Sequence, residues 1–132
     1  MKKTISEPPI GILLTMPKAF FEDRKMTEEQ FKEVFERFMQ MEDGIWNFRK
    51  KTLPTQDVIY CYMVFGGKVQ FKVNIVGYER DVAKTFHDAA DAKPRHFQKS
   101  NWIILAGPAV KPPQEIPMKG FQGFRYVTKE LF

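Results

Sequence analysis

Tyr60-Cys61-Tyr62-Met63-Val64-Phe65-Gly66-Gly67-Lys68-Val69-Gln70-Phe71-Lys72-Val73-Asn74-Ile75 reads as two strands joined by a two-residue turn. Two adjacent glycines between apolar runs supply the positive φ angles that tight hairpin turns require. From Asp57 to Phe65 the chain is rich in Val, Ile, Tyr and Phe and apolar on both faces, which places this strand in a sheet interior. After the turn, Val69, Phe71, Val73 and Ile75 alternate with Gln70, Lys72 and Asn74, so the second strand has one dry and one wet face.

Upstream, Ile10-Gly11-Ile12-Leu13-Leu14-Thr15 is short, apolar and bounded by prolines, the pattern of a central strand. Pro17 can open a helical turn over residues 18–23, because proline at a first helical position wastes no hydrogen bond. Thr27-Glu28-Glu29-Gln30 fits a capping box, and Phe31, Val34, Phe35 and Phe38 follow at helical spacing. A helix over residues 27–41, ending near Gly44 and turning its Phe stripe to the core, is expected. The run Gly44-Ile45-Trp46-Asn47-Phe48-Arg49-Lys50-Lys51 then alternates flat apolar side chains with hydrogen-bonding and cationic ones. As an extended segment it turns Trp46 and Phe48 inward and Asn47 and Arg49 outward.

Downstream of Tyr78 a polar stretch runs to Ser100, helical at most around residues 82–91, and carries Lys93-Pro94-Arg95-His96-Phe97-Gln98-Lys99. Trp102-Ile103-Ile104-Leu105-Ala106 reads as a fourth strand, residues 107–117 as a proline-rich surface crossing, and the chain becomes strand-like again from about Phe124. Short strands, one early amphipathic helix and glycine-bent corners suggest an α+β fold, a small mixed β-barrel with the helix packed against it.

At 132 residues with 43% hydrophobic content, residues 1–132 suit a single domain with a real core. No apolar run approaches the roughly 18 to 20 residues of a membrane span, and Met1-Lys2-Lys3-Thr4 does not open an export signal. Cys61, the one cysteine, has no disulfide partner and reads as a small buried hydrophobe of a reducing cytoplasm. A net charge of +5 and a pI near 9.3 favour polyanionic partners. Acidic residues gather in 22–43, whereas 49–51, 93–99 and 111–125 are basic with aromatics interleaved.

This order of pieces resembles the ASCH and EVE group of the PUA-like superfamily. In that group an opening strand like residues 10–15 precedes a helical start of the Pro17-Lys18 kind, and a Glu-x-Arg segment leads into the barrel strands. Asn47-Phe48-Arg49 stands in the Glu-x-Arg place, Leu53-Pro54-Thr55-Gln56-Asp57 looks like the turn before the next strand, and Lys119-Gly120-Phe121 like the closing segment. The resemblance implies a PUA-like barrel that binds RNA or a modified base. Family members that act as amidohydrolases on acylated cytidine depend on a Lys, a Glu and a Thr. Thr15 and Lys18 could stand near such a pocket, but Asn47 replaces the carboxylate and cannot accept a proton at neutral pH. The helix over residues 27–41 also separates the opening strand from that segment by more than the family shows.

Arg49 leads the candidate binding residues, because its planar fork suits a phosphate or a base edge, and Asn47 projects to the same side with an amide able to read a base. The alternative for Arg49 is a structural role, satisfying carbonyls at a barrel mouth. Phe121 or Tyr126 could stack on a base, and Lys119, Gln122 and Arg125 lie on a glycine-bent loop where backbone can approach an anion. With Lys18, these form the candidate ligand set, and the 93–99 cluster adds a phosphate-contacting loop or a solvated charge run. His87 and His96 lack the spacing of metal ligands, no P-loop, dinucleotide or nucleophile-elbow motif is present, and no cofactor or catalytic residue is expected. A nucleic-acid-binding module is therefore expected, with a small amidohydrolase or a protein-interaction domain as the alternatives.

Overall fold

Gly66 and Gly67 adopt φ of 63° and 75° and join β3 (Tyr60–Phe65) to β4 (Lys68–Asp88), as the glycine pair requires. The computed structural model describes residues 7–23, 25–41, 44–88 and 91–132; the amino-terminal Met1 to Thr4 reading and Asp43 of the acidic segment lie outside them. Around the hairpin a six-stranded sheet forms in the order β2-β5-β4-β3-β1-β6. β1 (Gly11–Thr15) runs parallel to β3 and antiparallel to β6 (Phe124–Val127). β2 (Ile45–Arg49) pairs with β5 (Asp91–Val110), which pairs in turn with β4. The fold is therefore a small α+β fold, and among the described residues its outer strands β2 and β6 are not paired, so hydrogen bonding does not close the sheet into a barrel.

The stretch around residues 82–91 is strand, not helix. Val82, Lys84 and Phe86 are half-buried while Ala83, Thr85 and His87 between them are exposed, a period of two that the interspersed Lys and His conceal from a count of apolar residues. β4 and β5 consequently run on past the rest of the sheet as a two-stranded arm, since β3 accompanies β4 only to Asn74 and β2 accompanies β5 only from Trp102 to Ala106. The hairpin also departs from simple alternation. Met63 pairs with Phe71 but Val64 with Val69, so Gln70 is the extra residue of a bulge, and Val69 faces the opposite side from Phe71 and Val73.

One face of the sheet packs on α1 (Lys18–Asp23) and α2 (Glu28–Met39). The capping box forms as the sequence specifies: Gln30 N donates to Thr27 Oγ1 at 3.1 Å and Thr27 N to Gln30 Oε1 at 2.9 Å. Phe31, Phe35 and Met39 are buried from this helix and Phe38 half-buried, whereas Val34 is exposed, so the stripe is core contact shifted slightly around the helix. Trp46 meets Phe31, Phe35 and Phe38 edge-on, and Phe48 stacks with Phe20 of α1 at 5.9 Å. The inward reading of Trp46 and Phe48 holds. On the opposite face Leu13, Tyr62, Val64 and Val69 are covered by Ile116, Met118, Phe121 and Phe132 from the carboxy-terminal segment. That cover dries the wet face of β4: Lys72 Nζ donates to the Phe132 carbonyl at 2.8 Å and lies 4.0 Å from the Tyr60 ring centroid.

Candidate nucleic-acid interface

Where the β4–β5 arm leaves the sheet, one asparagine ties it to the end of β2. Asn101 Oδ1 accepts from Asp81 N at 3.1 Å, its Nδ2 donates to Lys51 O at 3.0 Å, and its carbonyl accepts from Lys50 N at 2.9 Å. Asp81 takes φ of 58° there, a left-handed conformation that asparagine and aspartate tolerate better than most residues, and the register of the arm shifts at this point. Lys50 and Lys51 are thereby set beside the arm.

The arm face next to β2 is built on an aromatic triad. Phe97 meets Phe86 at 5.8 Å and Trp102 at 5.5 Å, both steeply inclined, and Phe86 meets Trp102 at 5.5 Å. Trp102 is buried and its Nε1 donates to Val82 O at 2.8 Å. A two-stranded ribbon has too little surface to stay ordered alone, and this triad supplies the missing apolar contact. The Arg49 and Arg95 guanidinium carbons lie 5.2 Å and 5.4 Å from the Phe97 centroid, within range for cation–π attraction.

Between these elements lies an open cleft of about 620 Å³ lined by Arg49, Lys50, Lys51 and residues 96–100. Its lining holds four fixed cations, Arg49, Lys50, Lys51 and Lys99, with His96 beside them and no carboxylate. Burial holds the Lys50 ammonium below its ordinary value. His96 Nδ1 lies 3.0 Å from Thr85 Oγ1, which leaves its other ring nitrogen as the second polar atom of the imidazole. Two basic segments 45 residues apart in the chain thus converge.

Asn47 is not among the residues that line the cleft. Lys84 Nζ donates to Asn47 Oδ1 at 2.8 Å and to Glu79 Oε1 at 2.7 Å, so the amide oxygen is committed to a half-buried lysine. Lys18 is 90% exposed at the start of α1 and faces Glu22 at 3.9 Å, and Thr15 Oγ1 accepts from Phe121 N at 3.2 Å; neither lines the cleft. Lys119 and Gln122 are exposed on the loop before β6, and Arg125 sits 4.2 Å from the Phe121 centroid. That loop belongs to the β1–β6 side of the sheet, whereas Arg49 is on β2 at the other end of the strand order. Tyr126 serves as a tie: its phenol oxygen accepts from Thr55 N at 2.8 Å and Gln56 N at 3.3 Å. Burial pushes this phenol up, but the hydrogen bonds from Thr55 and Gln56 outweigh it and hold the group below its ordinary value.

Asn101 and Phe97 are the residues that the sequence did not single out. Phe97 lay inside the basic cluster already noted, but its partnership with Arg49 depends on a strand pairing that no local pattern encodes. Among the described residues no group of three His, Cys, Asp or Glu side chains converges as a metal site, and no helix is long and apolar enough to cross a membrane. No family model, curated protein or solved structure matches this chain.

Proposed function

We propose that this chain is a nucleic-acid-binding domain, with RNA as the foremost ligand, and that the Arg49 cleft is where it binds. The observation that carries the reading is the lining itself: four lysine and arginine side chains and a histidine around a half-buried phenylalanine, with no acidic residue among them. Cations concentrated in one concave surface bind polyphosphate chains by releasing condensed counterions, and aromatic rings among them are a recurring part of such sites. We further read the fold as a PUA-like one in which the sheet curls toward a barrel. What supports this is the Tyr126 phenol of β6 accepting from Thr55 and Gln56, which ties an outer strand to the connector between β2 and β3. A cytoplasmic setting fits Cys61, fully buried and with its thiol pushed by burial up to about 12.

Titration of labelled single-stranded RNA against the protein at several salt concentrations tests the proposal. Binding is expected to weaken along a straight line in log affinity against log salt, with a slope near −0.7 for each phosphate neutralised. Absence of binding at low salt overturns it. A hydrolase would need a base near Thr15 and Lys18, and Asn47, the residue in the carboxylate's place, is bonded to Lys84.

A further inference from the structure

We infer that the cleft recognises the phosphate backbone without reading bases, and that Phe97 is a positioning residue that sets Arg49 and Arg95 as a pair of guanidinium forks. The inference rests on the nucleic-acid reading above and specifies which part of the ligand is held.

Three observations carry it. First, Phe97 is already surrounded: Phe86 and Trp102 meet it at steep angles, and the Arg49 and Arg95 guanidiniums lie within 5.4 Å of its centroid. A base stacking on this ring would have to displace a cation already held there by the ring's negative face. Second, Phe97 holds Arg49 in the cleft lining and Arg95 beside it, and the parallel N–H donors of a guanidinium suit phosphate oxygens. Third, several groups able to read base edges are engaged elsewhere, and the Gln98 amide and the second His96 nitrogen stand among four cations. Asn47 Oδ1 accepts from Lys84, Ser100 Oγ donates to the Gln98 carbonyl at 2.8 Å, and His96 Nδ1 is engaged with Thr85. What the cleft chiefly offers a ligand is charge, and charge sees phosphate.

The experiment uses three probes: labelled oligo-U and oligo-A RNA of equal length, and long-chain inorganic polyphosphate, which has the charge and no bases. Polyphosphate is expected to displace both RNAs, and the two RNAs to bind within about threefold of each other. Phe97→Leu is expected to weaken RNA and polyphosphate by the same factor, about tenfold, and Phe97→Tyr to restore both. If Phe97→Leu does not fold, Arg95→Gln carries the comparison, again with equal losses for both ligands. The inference is overturned if polyphosphate does not compete, if oligo-A and oligo-U differ more than about tenfold, or if the variants weaken RNA and leave polyphosphate binding unchanged, the result of base stacking. Failure of every probe to bind at low salt overturns the nucleic-acid reading itself.

Discussion

The Lys84 ammonium is held by the side-chain amide oxygen of Asn47, at 2.8 Å, across three neighbouring strands. A half-buried cation between an amide and the Glu79 carboxylate is a structural joint between β2 and the arm. Asn47→Ala is therefore expected to destabilise the fold by about 1.5 kcal/mol, the range for a hydrogen bond to a charged group, while RNA affinity changes little. Chemical denaturation alongside an RNA titration checks both halves of this statement.

Substitution within the cleft should separate cleanly from substitution outside it. Arg49→Ala and Lys51→Ala are each expected to flatten the log-log salt dependence of RNA binding by about 0.7. Lys18→Ala and Lys119→Ala, which lie outside the cleft lining, are expected to leave the slope unchanged. Titrations at four salt concentrations resolve the difference.

Asn101→Ala removes the acceptor of Asp81 N and the donor to Lys51 O together. The expected cost is about 1 to 2 kcal/mol of stability for two partly exposed hydrogen bonds. Because Lys51 then loses its side-chain tether to the arm, while Lys50 keeps its bond to the carbonyl of residue 101, RNA affinity should also fall, under conditions where circular dichroism shows the variant folded.

Much of the body of the fold was legible in sequence because its signals are local. Gly66-Gly67 announced a turn, Thr27 and Gln30 a helix start, and Trp46 and Phe48 an inward face, each within a few residues. The arm was not legible for a physical reason. Its dry face is shared between Val82, Lys84 and Phe86 on one strand and Arg95 and Phe97 on the other, and Lys and Arg bury their stems while counting as polar. The candidate site depended on that arm, so Arg49 was found while its partner Phe97, and Asn101, which ties Lys50 and Lys51 to the arm, were not. The bond from Lys84 to Asn47 was hidden for the same reason, since Lys84 comes from the arm.

Alkaline pH should loosen the core through two buried groups. Burial pushes Cys61 from 9.0 up to about 12; it also pushes Tyr78 from 10.0 up to about 12, with Tyr126 and Asp57 adding to the effect. Both groups bind a proton more tightly folded than unfolded, so their contribution is fully present below pH 9 and is lost as pH rises toward 12. The urea midpoint is expected to fall over that window, and in Cys61→Val the fall should begin about a unit later, where Tyr78 starts to titrate.

Gly107→Ala should be among the most damaging small changes. A Cβ there would run into the Met39 carbonyl at the end of α2. A loss of about 2 kcal/mol is expected from overpacking at backbone, measurable as a lowered melting temperature.

The left-handed kink at Asp81 has a consequence for how this protein fails. Side chains in a ribbon change sides with every residue, so a slip of one position beyond Asp81 would carry Phe97 and Arg95 away from Arg49 and take Phe97 out of its contacts with Phe86 and Trp102. The same slip would cost the arm its apolar contact and the cleft its grip on a ligand. Order in the arm and ligand affinity should therefore be lost together, with the residue at 81 guarding both.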